Sequence, residues 1–171
     1  MQIKTPLSGV RITVRDYLRA DLPFVTGMWF DGENGKYLSD PARDYADDAY
    51  QKALDEMEDN PAGYYLVIET KDFPVGSCCM FPDKDKKVFD IGYCIHRKYW
   101  RQGYGSEAVS LLKEWIQGHG GREITAEAAA ENLASNLLLK KLGFEIQRES
   151  EFRKYKMDVC YQSYIYRLIL R

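Results

Sequence analysis

The stretch IGYCIHRKYWRQGYGSEAVSLLKEW, residues 91–115, decides how the chain is read. Its opening continues an apolar run that begins at 88 and ends at 95, which is a strand. Arg97, Lys98 and Arg101 follow, then Gly103 and Gly105. From Ser106 to 117 the residues Ala108, Leu111, Leu112, Trp115 and Ile116 recur at helical spacing. A strand therefore runs through a basic, glycine-containing loop into a helix. The first N–H groups of a helix lack intrahelical partners and carry partial positive charge. Glycines keep side chains clear of the amides of residues 101–106, so the segment has the form of a pyrophosphate cradle. Taken alone, the pattern equally describes a tight strand-to-helix turn. It is not a P-loop, since no Gly-Lys-Ser/Thr follows, and the third glycine of a dinucleotide fingerprint is missing.

Working outward, ENLASNLLLKKLGF (131–144) places Asn132 as the N-cap of a helix running to 142, with Gly143 at a left-handed C-cap. Residues 124–128 form a short strand before it, and 144–149 and 159–170 are two strands after it. Upstream, 64–70 and 75–81 join 88–95 in a three-strand meander through turns at 71–74 and 82–87. Residues 11–15 alternate as a first strand. Asp21 is a plausible cap for a helix with Leu22, Val25, Met28 and Trp29 on one face. A second helix runs from Asp44 through Met57 and stops before Asn60-Pro61. The order is β-α-α-β-β-β-α-β-α-β-β, a mixed α/β domain.

With 171 residues, the chain has the length of a single domain, here 1–171, and can bury a sizeable core without a metal or disulfide staple. Its net charge of −2 disfavours a nucleic-acid reader. No apolar run approaches the ~18 residues that a membrane span needs, and residues 1–10 do not read as a signal peptide. Cys78, Cys79, Cys94 and Cys160 show no C-x-x-C spacing and read as reduced thiols of a cytoplasmic protein, with no metal site expected.

Together IGYCI, YWRQGYGSEA and NLASNLLLKKLGF resemble the GCN5-related N-acetyltransferase (GNAT) family. Within it they resemble the RimJ/RimL-like ribosomal-protein N-terminal acetyltransferase subgroup. The resemblance implies a splayed mixed sheet of six to seven strands flanked by four helices. Acetyl-CoA would bind between the fourth strand (88–95) and the fifth (124–128). It implies that the backbone near Cys94, Ile95 and His96 pairs with the pantetheine amides. It further implies that Arg101, Gln102, Gly103, Tyr104, Gly105 and Ser106 hold the pyrophosphate, and that Asn132 and Ser135 face the pantetheine arm. Homodimers are common in the family. The chain departs from the family pattern twice. Trp100 stands where Gln or Arg is usual, and Leu139 stands where many members carry a thiolate-protonating tyrosine. In the subgroup a serine three residues after the capping Asn is the usual substitute, and Ser135 fits.

Acetyl transfer to an amine needs a neutral amine, an oxyanion donor and a protonated leaving thiolate. A backbone N–H of the fourth strand would serve the oxyanion and Ser135 the thiolate. Asp90 and Glu127 are equal candidates for the general base, with Glu149 or Glu151 reaching in from a loop as a third choice and His96 as a fourth. Residues 31–59 hold ten acids against three bases, a region that the resemblance places on one wall of the acceptor cleft. Such a wall would gather cationic amines, whether a protein N-terminus, a polyamine or an aminoglycoside. Equally, many of these acids sit on the solvated face of the second helix. The missing tyrosine leaves one alternative of another class, a non-catalytic acyl-CoA-binding or regulatory module.

Overall fold

The computed structural model describes residues 1–171. The elements are β1 (Leu7–Ser8), β2 (Thr13–Asp16), α1 (Leu22–Trp29), α2 (Asp48–Asp55), β3 (Tyr64–Glu69), β4 (Pro74–Pro82) and β5 (Val88–Ile95). They continue with α3 (Tyr104–Gly118), β6 (Glu123–Ala129), α4 (Leu133–Lys141), β7 (Glu145–Arg153) and β8 (Cys160–Ile169). One sheet takes the order β1-β2-β3-β4-β5-β6-β8-β7. All its pairings are antiparallel except β5–β6. The mixed α/β class, the four helices and the order of elements are as the sequence indicates. The eighth strand is β1, two residues paired with β2 and too short to show any period.

Both faces of the sheet are covered, so central strands carry apolar residues on both sides. Leu66, Ile68, Met80, Phe89, Ile91, Ile124 and Ala126 meet Ala108, Val109, Leu112 and Ile116 of α3 in the larger core. Tyr17, Val25, Leu54, Met57 and Val67 form a smaller core under α1 and α2. The outer strand β7 is almost entirely exposed and carries Glu145, Arg148, Glu149, Glu151 and Arg153, the charged edge that discourages foreign pairing.

Helix boundaries shift where a better cap exists. The second helix begins at Asp48, not Asp44, because the Asp47 carboxylate accepts the Tyr50 amide at 3.0 Å; residues 43–45 form a separate 3₁₀ turn. Asp21 does not cap α1 with its side chain. Its carboxylate accepts the Leu18 amide and binds Arg15 through two bonds of 2.7 and 2.9 Å. The third helix starts at Tyr104, two residues early, with Gly103 at φ +84° as its N-cap.

Candidate active site

The parallel pairing of β5 with β6 lasts only from Val88–Glu123 to Asp90–Thr125, after which the strands part. The remainder of β5, Ile91 to Ile95, keeps β4 on one side and has no strand on the other. Which backbone groups face the opening follows from one bond. The His96 amide donates to the Val75 carbonyl at 2.8 Å, in register with the Gly76–Ile95 and Ser77–Cys94 pairs. Antiparallel alternation then turns the backbone groups of Cys94 and Gly92 toward β4, and those of Tyr93 and Ile95 toward the opening. Of the three residues expected to offer backbone to a ligand, only Ile95 is so placed. Its carbonyl already accepts from Trp100 Nε1 at 2.6 Å and Asn34 Nδ2 at 3.3 Å, which gives Trp100 a role. His96 caps a short turn through Nδ1, accepting the Lys98 amide, and stacks on Phe24. Burial, then Lys98 and Arg97, hold its pKa below the ordinary value.

The mouth of the fork meets the N-terminus of α3. The amides of residues 101–106 donate to no acceptor within the protein. Arg101 (φ +61°) and Gly103 (φ +84°) adopt left-handed conformations, the backbone habit of anion-binding nests. Gly105 is buried, and a Cβ there would stand 3.0 Å from the Leu138 side chain, so its absence lets α3 approach α4 closely. Arg97 is engaged by Glu33 at 2.8 Å. Arg11, which sequence reasoning missed, comes to the loop instead. It donates to the Gln102 carbonyl (2.6 Å), pairs with Glu107 (2.9 Å) and lies over the Tyr104 ring. Burial raises the Glu107 pKa, but the bonds from Arg11 outweigh it and hold the carboxyl below the usual range. The 96-residue separation of Arg11 and Glu107 left no local signal.

On the other side, Asn132 caps α4 through its side-chain oxygen, accepting the Ser135 amide at 3.2 Å. The Ser135 hydroxyl is 2.7 Å from the Tyr93 hydroxyl. Tyr93 is therefore a second residue that the sequence reading missed. Burial pushes its phenol up to about 12, with the Ser135 bond pulling the other way, so it stays protonated at neutral pH. Leu139 is fully buried in the core. Asn136, also missed, ties α4 to β6 and β8 by donating to the Ala129 carbonyl and accepting from the Tyr166 hydroxyl.

The acids separate by face. Asp90 accepts from the Thr125 hydroxyl at 2.7 Å and Glu127 from the Ser163 hydroxyl at 2.5 Å, both on the α1–α2 side of the sheet. Crowding lifts the Asp90 carboxyl, Thr125 opposes this, and the Glu127 charge adds to it; solvent access to the residue screens much of the effect. Glu149 and Glu151 are not on a loop. Strand β7 continues through Arg153, and pairing with Tyr164 and Gln162 turns both acids to the opposite face from Glu127. The strand ran past the expected 149 because an exposed edge shows no apolar alternation.

Several raised pKa values sit in this region. Burial pushes Tyr17, Tyr93, Cys79 and Cys94 each up to about 12. Such groups hold their protons in the native state after the unfolded chain, with thiols near 8.5 and phenols near ~10, has released them. Stability from this source is fully present below about pH 8.5 and falls as pH rises toward about 12. The melting temperature should stay level from pH 7 to about 8.5 and then drop steeply; a level curve to pH 11 would contradict the burial of these groups.

Residues 11–145 match the family described as acetyltransferase (GNAT) domain. The uncharacterized N-acetyltransferase p20 of Bacillus licheniformis is 29% identical over 152 residues, covering 85% of this chain and 84% of that protein. The GNAT-family acetyltransferase from Bacillus anthracis superposes with a TM-score of 0.79 at 17% identity, over 96% of this chain and 98% of that one. The Salmonella typhimurium acetyl transferase that modifies the N-terminal serine of ribosomal protein L7/L12 superposes with a TM-score of 0.81 at 14% identity, over 98% and 100%. No helix is long and apolar enough to cross a membrane. Fork, helix N-terminus and family match agree, and the chain belongs to the GNAT family of acetyltransferases.

Proposed function

We propose that the chain transfers the acetyl group of acetyl-CoA to a primary amine by direct attack on the thioester, in the manner of the RimJ/RimL-like subgroup. The observation that carries this reading is the run of unpartnered amides at residues 101–106, set beside the fork and the Ser135 hydroxyl. The residues fit the cosubstrate. The loop amides, with Arg11 beside them, suit a pyrophosphate. The Tyr93 backbone and the Ile95 amide suit the pantetheine amides, which would lie along β5 as an added strand. Asn132 Nδ2, free of protein partners, faces no competitor for a pantetheine carbonyl.

The amine nitrogen forms the new C–N bond, and the oxyanion accepts from an amide that β5 turns to the fork. As the C–S bond breaks, Ser135 supplies a proton to the thiolate. Tyr93, protonated and hydrogen-bonded to it, positions that hydroxyl, and solvent entering the fork returns the proton to Ser135. Asp90 and Glu127, on the acceptor face, take the proton that the amine loses, directly or through water. The similarity to a ribosomal-protein acetyltransferase supports an α-amine acceptor.

Binding to the native state alone should add about 2.7 kcal/mol of stability at a hundredfold excess of acetyl-CoA over its Kd. Thiol release from acetyl-CoA in the presence of an amine panel then tests turnover. A raised melting temperature without thiol release on any amine would identify a binding module, and no rise with acetyl-CoA or desulfo-CoA would remove the coenzyme.

A further inference from the structure

On the α1–α2 face a cavity of about 310 Å³ lies against Gly92, Tyr93 and Cys94 of β5, the strand that forms one side of the fork. Rings of Tyr17, Trp29, Tyr50, Tyr65 and Phe81 line it, and 15 of its 19 lining residues are hydrophobic. That volume is at the small end of ligand sites, about 300–1,000 Å³, and suits one ring-bearing or branched side group. Apart from tyrosine hydroxyls, three polar side chains interrupt the apolar wall: Ser39, Asp40 and Ser77. Asp40 is its single charged residue, with a carboxylate that accepts from the Tyr50 hydroxyl. Tyr17 is 3% exposed, and its hydroxyl has no hydrogen-bond partner.

The other acids of residues 31–59 do not converge here. Glu33 is paired with Arg97, Asp47 with Lys156 and Asp55 with Arg19. Asp31 accepts the amides of Glu33 and Asn34, and Glu58 that of Arg19. The Lys154 ammonium sits at the edge of the same loop, donating to the carbonyls of Gly35, Leu38 and Asp40. The acidic wall suggested by the sequence is thus reduced, at the cavity, to one carboxylate. A polycation would bring several ammonium groups against apolar walls with one counter-charge, at a high desolvation cost.

We propose that this cavity receives the side group of the acceptor, and that the acceptor is a primary amine carrying one bulky apolar side group rather than a polyamine or an aminoglycoside. This rests on the acetyl-transfer reading and names the substrate class of the same site. Asp40 attracts the single ammonium as it arrives, and the rings enclose the side group. The amine has two sources of the same chemistry, an N-terminal residue of a peptide and a free arylalkylamine.

The test uses the whole chain with acetyl-CoA and five probes: a pentapeptide beginning with Phe, the same peptide beginning with Gly, phenethylamine, spermidine and kanamycin. The Phe peptide, phenethylamine or both should exceed the other three in kcat/KM by at least tenfold, and the better of the two identifies the source. Asp40→Asn should raise KM for the favoured probe about tenfold while leaving the acetyl-CoA-induced rise in melting temperature unchanged. Ala53→Trp, which fills the cavity from the exposed side of α2, should bring the Phe-to-Gly ratio close to one. Preference for spermidine, kanamycin or the Gly peptide would overturn the inference and leave acetyl transfer standing. Should no probe be acetylated, phenethylamine added to the CoA-bound protein decides. A rise in melting temperature that Ala53→Trp abolishes supports the cavity assignment while transfer falls, and no rise overturns the assignment.

Discussion

Gly103→Asp is expected to abolish acetyl-CoA binding in a protein that still folds. Gly103 is exposed at φ +84°, and an added Cβ would come 3.1 Å from Arg11 Nη2. The left-handed backbone costs a non-glycine residue about 1–2 kcal/mol, and Asp is among the residues that tolerate it best. The new carboxylate would draw on Arg11, which now steadies the Gln102 carbonyl, and would stand among amides proposed to receive phosphate. Two unit charges of like sign 4 Å apart repel by about 4 kcal/mol near a protein surface, equivalent to about a thousandfold in Kd. Titration calorimetry with acetyl-CoA, beside a thermal melt, checks both halves of the expectation. Gly103→Ala carries at least as much backbone strain without the charge and should bind far better than the aspartate. Wild-type affinity in a folded Gly103→Asp protein would remove the α3 amides from the site.

Ser135→Ala is expected to lower kcat by about a hundredfold, the lower range for loss of a general acid, and to change the acetyl-CoA Kd less than twofold. A donor needed only as charge develops on sulfur affects turnover and not ground-state binding. Leu139, sealed in the core, cannot substitute. Tyr93→Phe keeps the Ser135 hydroxyl and removes its partner at 2.7 Å, so its loss should be smaller, about tenfold. The double variant separates positioning from mere packing. If Tyr93 acts through Ser135, removing both costs no more than removing Ser135 alone. Turnover at the wild-type level in Ser135→Ala, on the true acceptor, would mean that water protonates the thiolate.

What could be read from sequence was what local rules write. The Gly103–Gly105 loop, the Asn132 cap and the Gly143 turn each rest on the conformational habits of residues a few positions apart, and the structure shows all three. Residues joined across long separations left no trace. Tyr93 and Ser135 are 42 positions apart, and Tyr17 acquires its significance only when α1 and α2 close over it. That the Cys94 and His96 backbone faces β4 went unread for a third cause. Side-chain period is visible in a sequence, but the alternation of backbone N–H and C=O toward one neighbour or the other is fixed only by register, here by the His96–Val75 bond. Charge counting failed for a fourth reason. Ten acids in a segment say nothing of which are already paired, and only Asp40 reaches the cavity.

The fork between β5 and β6 bears on the colloidal behaviour of the molecule. Most sheets keep their unpaired backbone at the rim, where β7 here is guarded by charge, but this one carries a second pair of edges in its middle. An edge of that kind is a template for any passing extended segment. Two features limit the danger: the exposed length is a few residues, and the strands diverge, so no flat ledge is presented for a foreign strand to extend. On the proposed reading acetyl-CoA supplies the missing partner, which makes the cosubstrate a plug against self-association as well as a reactant.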